Sequence, residues 1–265
     1  MDHALFITNL KNLKFFDKKY SRIYFGNEFC ERLIPDKADL NKVVDFCKKN
    51  NVLISFVTPY ATDKGINAIS ELIDLLKEEK IIDEIIFNDW GVFNKFKGIL
   101  KSKRWVKGRV LTKQYKDTRF IELKKIIPKN ILPWFQSSTV DTEISQDFLI
   151  NKNVFRIELD NLFQGINMKL SRSDIKASLY YPYNFITTTR ICQSARCTSK
   201  KKKKVTIEDG CSFECRTYTF DLKAKDMPKS MKLKGNTCFY YLDRLPKEMI
   251  EKGIDRLVFM PEIPM

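Results

Sequence analysis

The sequence predicts an α/β fold, a TIM-like (β/α) barrel. Two observations lead there: short apolar, β-branched runs alternate with helical patterns, and about eight such runs fit within 265 residues. Alternation of this kind argues for parallel βα units, and eight units need about 250 residues. The runs that read as strands are 22–25, 52–57, 84–87, 109–111, 134–136, 154–158, 176–181 and 256–259. Between them, 37–50 reads as a helix with Leu40, Val43, Val44 and Cys47 on its inner face. A second helix is expected over 67–80, where Ile69, Leu72, Ile73 and Leu76 recur at three-to-four spacing, and a third over 245–252. In a barrel the residues just past each strand line the working rim. These are 26–30, 58–60, 88–90, 112–114, 160–161 and 182 onward. The seventh unit breaks the pattern, because 182–234 is cysteine-rich and basic where a simple helix is expected. With no internal repeat or Gly/Ser linker, the chain reads as one domain, 1–265, carrying this insertion.

Composition narrows the function classes. A hydrophobic content of 43% with 12% aromatic residues supplies a substantial core. Forty-eight Lys and Arg against 33 Asp and Glu leave a net charge of +15, which favours anionic partners such as RNA, nucleotides or acidic proteins. The sole histidine, His3, lies near the N-terminal end, which argues against His-dependent triads, HExxH proteases and two-Cys-two-His zinc sites. None of the nine glycines is spaced as GxGxxG or GxxxxGK, so the usual dinucleotide and nucleotide fingerprints are missing. The N-terminus does not read as a leader, no apolar stretch reaches 18 residues, and the expectation is a cytoplasmic protein with no membrane span. In a reducing compartment seven cysteines read as thiols, metal ligands or catalytic groups rather than disulfides.

Four of those cysteines, Cys192, Cys197, Cys211 and Cys215, fall within 24 residues. A pair separated by three residues can turn both sulfurs toward one centre, and thiolates suit zinc and iron-sulfur clusters alike. The spacing alone leaves zinc, an iron-sulfur cluster and free buried thiols open. A radical-SAM signature is not formed, because Tyr218 stands where a third cysteine is needed.

Ser194-Ala-Arg-Cys197 followed by Cys211-x-x-x-Cys215 resembles the cysteine region of the collagenase-like peptidase family thirty-two (U-thirty-two). Within that family the likeness is to the small iron-sulfur accessory proteins of anaerobic ubiquinone biosynthesis. Tyr24-Phe-Gly-Asn-Glu28-Phe-Cys30 resembles the family's stretch after the first strand, and Leu245-Pro-Lys-Glu-Met-Ile-Glu-Lys-Gly253-Ile-Asp255 its C-terminal pattern. The resemblance implies a TIM-like barrel and a 4Fe-4S cluster held by Cys30, Cys197, Cys211 and Cys215, with Cys192 and Cys238 as runners-up. It also implies a role in oxygen-independent hydroxylation or modification of RNA or a quinone precursor, with a paralogous subunit as partner. Peptidase activity is not expected, since no Ser-His, Cys-His or paired-Asp arrangement can be assembled with His3 alone. The alternative from another class is a zinc-stabilised RNA-binding or scaffold module without catalysis.

Four carboxylates, Glu28, Asp89, Glu158 and Asp160, fall near strand ends, and Glu28 is the first candidate for proton transfer. Each could equally cap a helix or pair with a lysine. Asn88-Asp89-Trp90-Gly91 resembles the rim segment after the third strand in related proteins, which implies a pocket wall there. Cys47 reads as core, and Cys238 as core or ligand. Lysines fill 200–204, and 190–234 carry thirteen basic against five acidic residues, a surplus of eight of the chain's fifteen charges. That block reads as solvated or as facing an anion. Nearby aromatics, Tyr180, Tyr181, Tyr183, Phe213, Tyr218 and Phe220, could stack on bases or belong to the core.

Overall fold

A computed structural model describes residues 1–172, 174–199, 211–247 and 249–265; the lysine run at 200–204 lies outside the described residues. The first seven strands are β1 (Asp2–Ile7), β2 (Arg22–Gly26), β3 (Leu53–Thr58), β4 (Ile82–Phe87), β5 (Arg104–Lys107), β6 (Val154–Asp160) and β7 (Lys176–Tyr181). Then come β8 (Tyr183–Thr188), β9 (Phe220–Leu222), β10 (Met231–Lys234) and β11 (Thr237–Tyr241), followed by β12 (Ile254–Phe259). Strands β1 to β7 lie in chain order, and β12 closes the barrel between β7 and β1. Every pairing around the barrel is parallel. The fold is a TIM-like α/β barrel.

Six of the eight expected strands coincide with observed ones, and two do not. Residues 109–111 follow β5, because the strand ends at Lys107 and the Gly108 N–H closes on Phe87 O (2.8 Å). Residues 134–136 lie in the helix Leu132–Gln136, whose Pro133 sits in the first turn where proline favours a helix. The barrel strands missing from the expected set are β5 and β1, where His3 pairs with Leu257 of β12. The terminal position of that segment concealed its apolar run.

Outside the barrel, α1 (Lys37–Asn50) has the expected bounds. Asp36 caps it by accepting from Asp39 N–H (2.7 Å), and Asn51 ends it in the left-handed region at φ 54°. Leu40, Val43, Val44 and Cys47 are buried on its inner face. The expected single helix over 67–80 is instead α2 (Asp63–Ser70) and α3 (Ile73–Glu78). Ser70 Oγ donates back to Ile66 O (2.9 Å), a bond that loosens a helix at its end. Among the described residues of 245–252, only Ile250–Lys252 forms a short 3-10 turn, which Gly253 terminates at φ 74° before β12 begins.

Alternation along the strands divides the apolar residues into two sets. Ile23, Phe25, Ile54, Phe56, Ile85 and Phe87 face outward into the shell beneath the helices. Phe6, Tyr24, Val57, Ile86, Val106, Tyr180 and Val258 fill the interior. Strands β8 to β11 form a separate antiparallel sheet in the order β8-β11-β10-β9. It packs over the C-terminal mouth of the barrel, where Phe185, Phe239 and Met265 meet Phe29. No described helix is long and apolar enough to cross a membrane.

Gly26 ends β2 at φ 134°, opposite Val57 of β3. A Cβ built there would collide with the Val57 carbonyl oxygen. Gly26→Ala should therefore destabilise the fold by about 3 kcal/mol or more. Urea denaturation checks this, and an unchanged midpoint would mean that the strand gives way without cost.

Candidate metal centre at the barrel mouth

The mouth is plugged by a buried ion network centred on Arg109, just past β5. Its Nε donates to both Glu28 oxygens (3.0 and 2.9 Å) and its Nη2 to Glu28 Oε2 (2.7 Å). Its Nη1 donates to Asp160 Oδ1 (2.8 Å) and Tyr183 O (3.1 Å). The guanidinium also lies 4.3 Å from the Tyr180 ring centroid. Arg109, Glu28 and Asp160 are all fully buried. Burial alone would lower the Arg109 pKa, but the Glu28 and Asp160 charges outweigh it and raise the value well above the ordinary one. Lys116 completes the group by an ion pair to Asp160, 3.3 Å from the Phe185 ring centroid. Burial lowers its ammonium pKa to about 8 against the pull of Asp160. Two cations thus face two carboxylates, and Glu28 has both oxygens bound to Arg109. Sequence reasoning missed Arg109 because it fell inside an expected strand.

Glu28 begins the loop that carries Cys30. Asn27 Oδ1 accepts from Phe29 N–H (2.9 Å) and Cys30 N–H (2.8 Å), holding the turn from inside. Above it, the turn at Gly235 and Asn236 between β10 and β11 gathers the other cysteine segments. Asn236 Nδ2 donates to Phe29 O (2.7 Å), Thr189 O (2.6 Å) and Tyr60 Oη (2.7 Å). Gly235 O accepts from Ser194 N–H (3.1 Å), and a Cβ at Gly235 would lie 3.3 Å from Cys215 Cβ. Glu214 Oε1 accepts from Arg196 N–H (2.8 Å), tying the Cys192 segment to the Cys215 segment.

In this arrangement Cys30, Cys192, Cys211 and Cys215 come together. All six pairs that these four thiols can form interact electrostatically. Burial pushes the Cys30 thiol up to about 12, and the three neighbouring sulfurs raise it further against a backbone N–H donated by Arg32. Burial pushes Cys215 up to about 11, opposed by Lys234 and Arg216. Cys192 accepts from the backbone N–H groups of Ser194 and Ala195, and Cys211 from Phe213 N–H (3.3 Å). Cys197 is exposed and stands outside this set of six pairs. Cys238 is buried in β11 opposite Thr187, and Cys47 is in the core under α1. Among the described residues, no three His, Cys, Asp or Glu side chains gather closely enough around one point to hold a single metal ion.

The other candidates have structural partners. Asp89 caps the helix α4 (Trp90–Phe96), accepting from Gly91 N–H (2.5 Å) and Val92 N–H (3.4 Å). Tyr180 is wholly inside the barrel. Glu158 lies in the barrel interior, where Oε1 accepts from Tyr24 Oη (3.1 Å) and Ser178 Oγ (3.2 Å) while Oε2 has no partner. Burial raises its pKa to about 8, opposed by Arg256 and Arg156.

No family model and no curated protein matches the chain. Solved structures do. The U32 peptidase Mk0906 aligns with a TM-score of 0.51 at 8% identity, covering 100% of this chain and 94% of that one. What the two share is the fold. Weaker likenesses include a glycoside hydrolase family 18 N-acetylglucosaminidase from Paenibacillus barengoltzii, with a TM-score of 0.36 at 9% identity, covering 97% of this chain and 94% of that one. Human YKL-39, a pseudo-chitinase, gives 0.37 at 10% identity, with 97% and 91% covered.

Two predictions follow from the buried charges. Arg109→Met leaves Glu28 and Asp160 without their main partner and should cost about 3–5 kcal/mol in urea denaturation. Adding Glu28→Gln should cost much less in that background than in the parent, and additive losses would show that the pair is not coupled. Glu158, neutral in the folded chain up to about pH 8, titrates near its usual 4.5 when unfolded. The folded state then binds the extra proton, so this residue's contribution to stability falls as pH rises from 4.5 to 8. The slope should be about 1.4 kcal/mol per pH unit. Glu158→Gln should flatten the stability profile across that window, and parallel profiles for parent and variant would refute the shift.

Proposed function

We propose that this chain is an iron-sulfur protein in which Cys30, Cys192, Cys211 and Cys215 hold a 4Fe-4S cluster, and that it serves an oxygen-independent hydroxylation or related modification. The observation that carries this reading is the meeting of four thiols from three chain segments at the barrel mouth. The donor set fits the group. Four soft ligands match a cluster's requirement, and backbone N–H groups already point at three of the sulfurs. A tetrahedral zinc with bonds of about 2.3 Å would draw its sulfurs to about 3.8 Å from one another. A cubane spreads its ligands more widely, because each thiolate binds a different iron.

When bound, such a cluster supplies one-electron transfer at the rim. The chain's own residues prepare that position. Phe29, Phe185 and Phe239 shield one side from water. Lys234 and Arg216 oppose the negative charge that ligating thiolates would carry. Tyr60 is bonded to Thr189 O (2.6 Å) and accepts from Asn236 Nδ2, which also holds Phe29 O beside Cys30. With Cys197 exposed, Cys192 takes its place in the ligand set. The reading keeps a paralogous subunit as partner, and RNA or a quinone precursor as the substrate alternatives.

Anaerobic purification followed by iron and sulfide analysis tests it. The parent should be brown, with iron and sulfide in equal amounts. Single Cys→Ala changes at Cys30, Cys192, Cys211 and Cys215 should each remove most of the iron and visible absorbance together, whereas Cys47→Ala and Cys197→Ala should retain both. A colourless protein carrying one zinc would overturn the cluster, and iron lost from Cys197→Ala but kept in Cys192→Ala would overturn the ligand choice.

A further inference from the structure

Beside the cysteine centre lies a cavity of about 510 Å³, within the size range of small-molecule sites. It opens between the turn after β1, the loop after β2 and the C-terminal segment. Its apolar wall is made by Phe25, Leu33 and Met265. Lys11, Lys14, Arg216 and Lys234 also line it, and none of the four forms an ion pair among the described residues. The carboxylates there are engaged. Asp36 caps α1, Asp39 pairs with Lys42 (3.6 Å), and Glu262 accepts from Asn12 Nδ2 (3.4 Å) while its charge also favours the ammonium of Lys234 without an ion-pair contact. At the inner end stands Asn27, fully buried, whose Oδ1 is taken by the Cys30 loop while its Nδ2 has no hydrogen-bond partner. A buried donor without an acceptor is costly in a folded protein and marks a place where an acceptor is expected.

We infer that this cavity is the substrate pocket and takes a small organic anion, with an apolar body against Phe25 and Met265 and an acidic group among the four cations. This rests on the cluster reading for the word substrate, because the pocket adjoins the centre: Met265 is in contact range of Gly235, whose other neighbour is Cys215. The same side chains, Lys234 and Arg216, line the pocket and act electrostatically on the Cys215 thiol. The inference deepens that reading by choosing a small molecule over an RNA chain. A nucleic acid would engage an open basic surface, whereas these cations surround a recess with an apolar wall.

The test uses full-length protein purified anaerobically, with iron measured on every sample. The probe is 1-anilinonaphthalene-8-sulfonate, an aromatic anion, compared with its uncharged analogue N-phenyl-1-naphthylamine by fluorescence titration. The anion should bind at least tenfold more tightly than the neutral analogue. Lys11→Gln/Lys14→Gln should weaken the anion about tenfold and the neutral analogue less than twofold, with iron content unchanged. Asn27→Asp keeps the acceptor for Phe29 and Cys30 but replaces the free donor by a negative oxygen, and should weaken the anion at least as much. Lys48→Gln, at a distant surface paired with Glu79, should change neither. Equal binding of the two probes, or anion binding unaffected by the pocket variants, overturns the pocket. An iron-free parent that still shows the full anion pattern overturns the cluster alone and leaves the anion pocket standing.

Discussion

Arg109 is the constraint on which the mouth of the barrel depends. One guanidinium joins the loop after β2 through Glu28, the end of β6 through Asp160 and the start of β8 through Tyr183 O. Asp160 Oδ1 also accepts from Phe185 N–H (3.2 Å), so the same carboxylate fixes the second sheet. Desolvating four charges costs several kcal/mol per ion unless each finds partners, and here each of the four has at least one partner of opposite charge. The consequence reaches the cysteines. With Glu28 fixed, Phe29 and Cys30 follow; with β8 fixed, the turn at Gly235 and Asn236 lands on Phe29. The thiol at position 30 thereby comes within electrostatic range of those at positions 211 and 215.

Below this plug the interior holds a second polar layer, and its two carboxylates show what partners do. Glu84 accepts two bonds from Arg256 (2.7 and 3.1 Å) and one from Ser55 (2.6 Å). Burial would raise its pKa, but Arg22 and Arg256 hold it down at about 2. Glu158, equally deep, receives only hydroxyls and stays high. Between the polar layers Phe6, Tyr24 and Tyr180 meet edge to face, with ring centroids 6.0 to 6.4 Å apart. The barrel centre is therefore filled from floor to mouth. The thiols and the cavity lie above it, at the rim.

How much of this was legible in the sequence depended on whether the signal was local. The bounds of α1 were readable because Asp36, the apolar stripe and Asn51 are all local signals. The barrel's strand count came out right although two members were misplaced, because a short apolar run looks the same in a strand, in a turn after Gly108 and in a helix after Pro133. The cysteine region was visible as a composition anomaly. Its assembly was not, since the segment that carries Cys192 and Cys197 is held by bonds from Ser194 to Gly235 and from Arg196 to Glu214, each between residues far apart in the chain. Arg109 left no local trace at all. A buried arginine is recognisable only by its partners, and these lie 81 and 51 residues away.

The shared fold and the chemistry stand on different supports. A barrel seen again at 8% identity conveys how strands and helices are arranged, while function resides in the side chains placed on the rim. Here the rim has a firm half and a light half. Cys30 sits on a loop anchored by Asn27 and by Glu28 to Arg109, so its position is set by the barrel itself. Cys192, Cys211 and Cys215 rest on a segment whose described ties to that anchor run mainly through one turn, at Gly235 and Asn236. A bound metal would add links between the two halves in the folded state alone, so its binding free energy would appear as stability of the light half. The firm half needs no such help, because its charges are already paired.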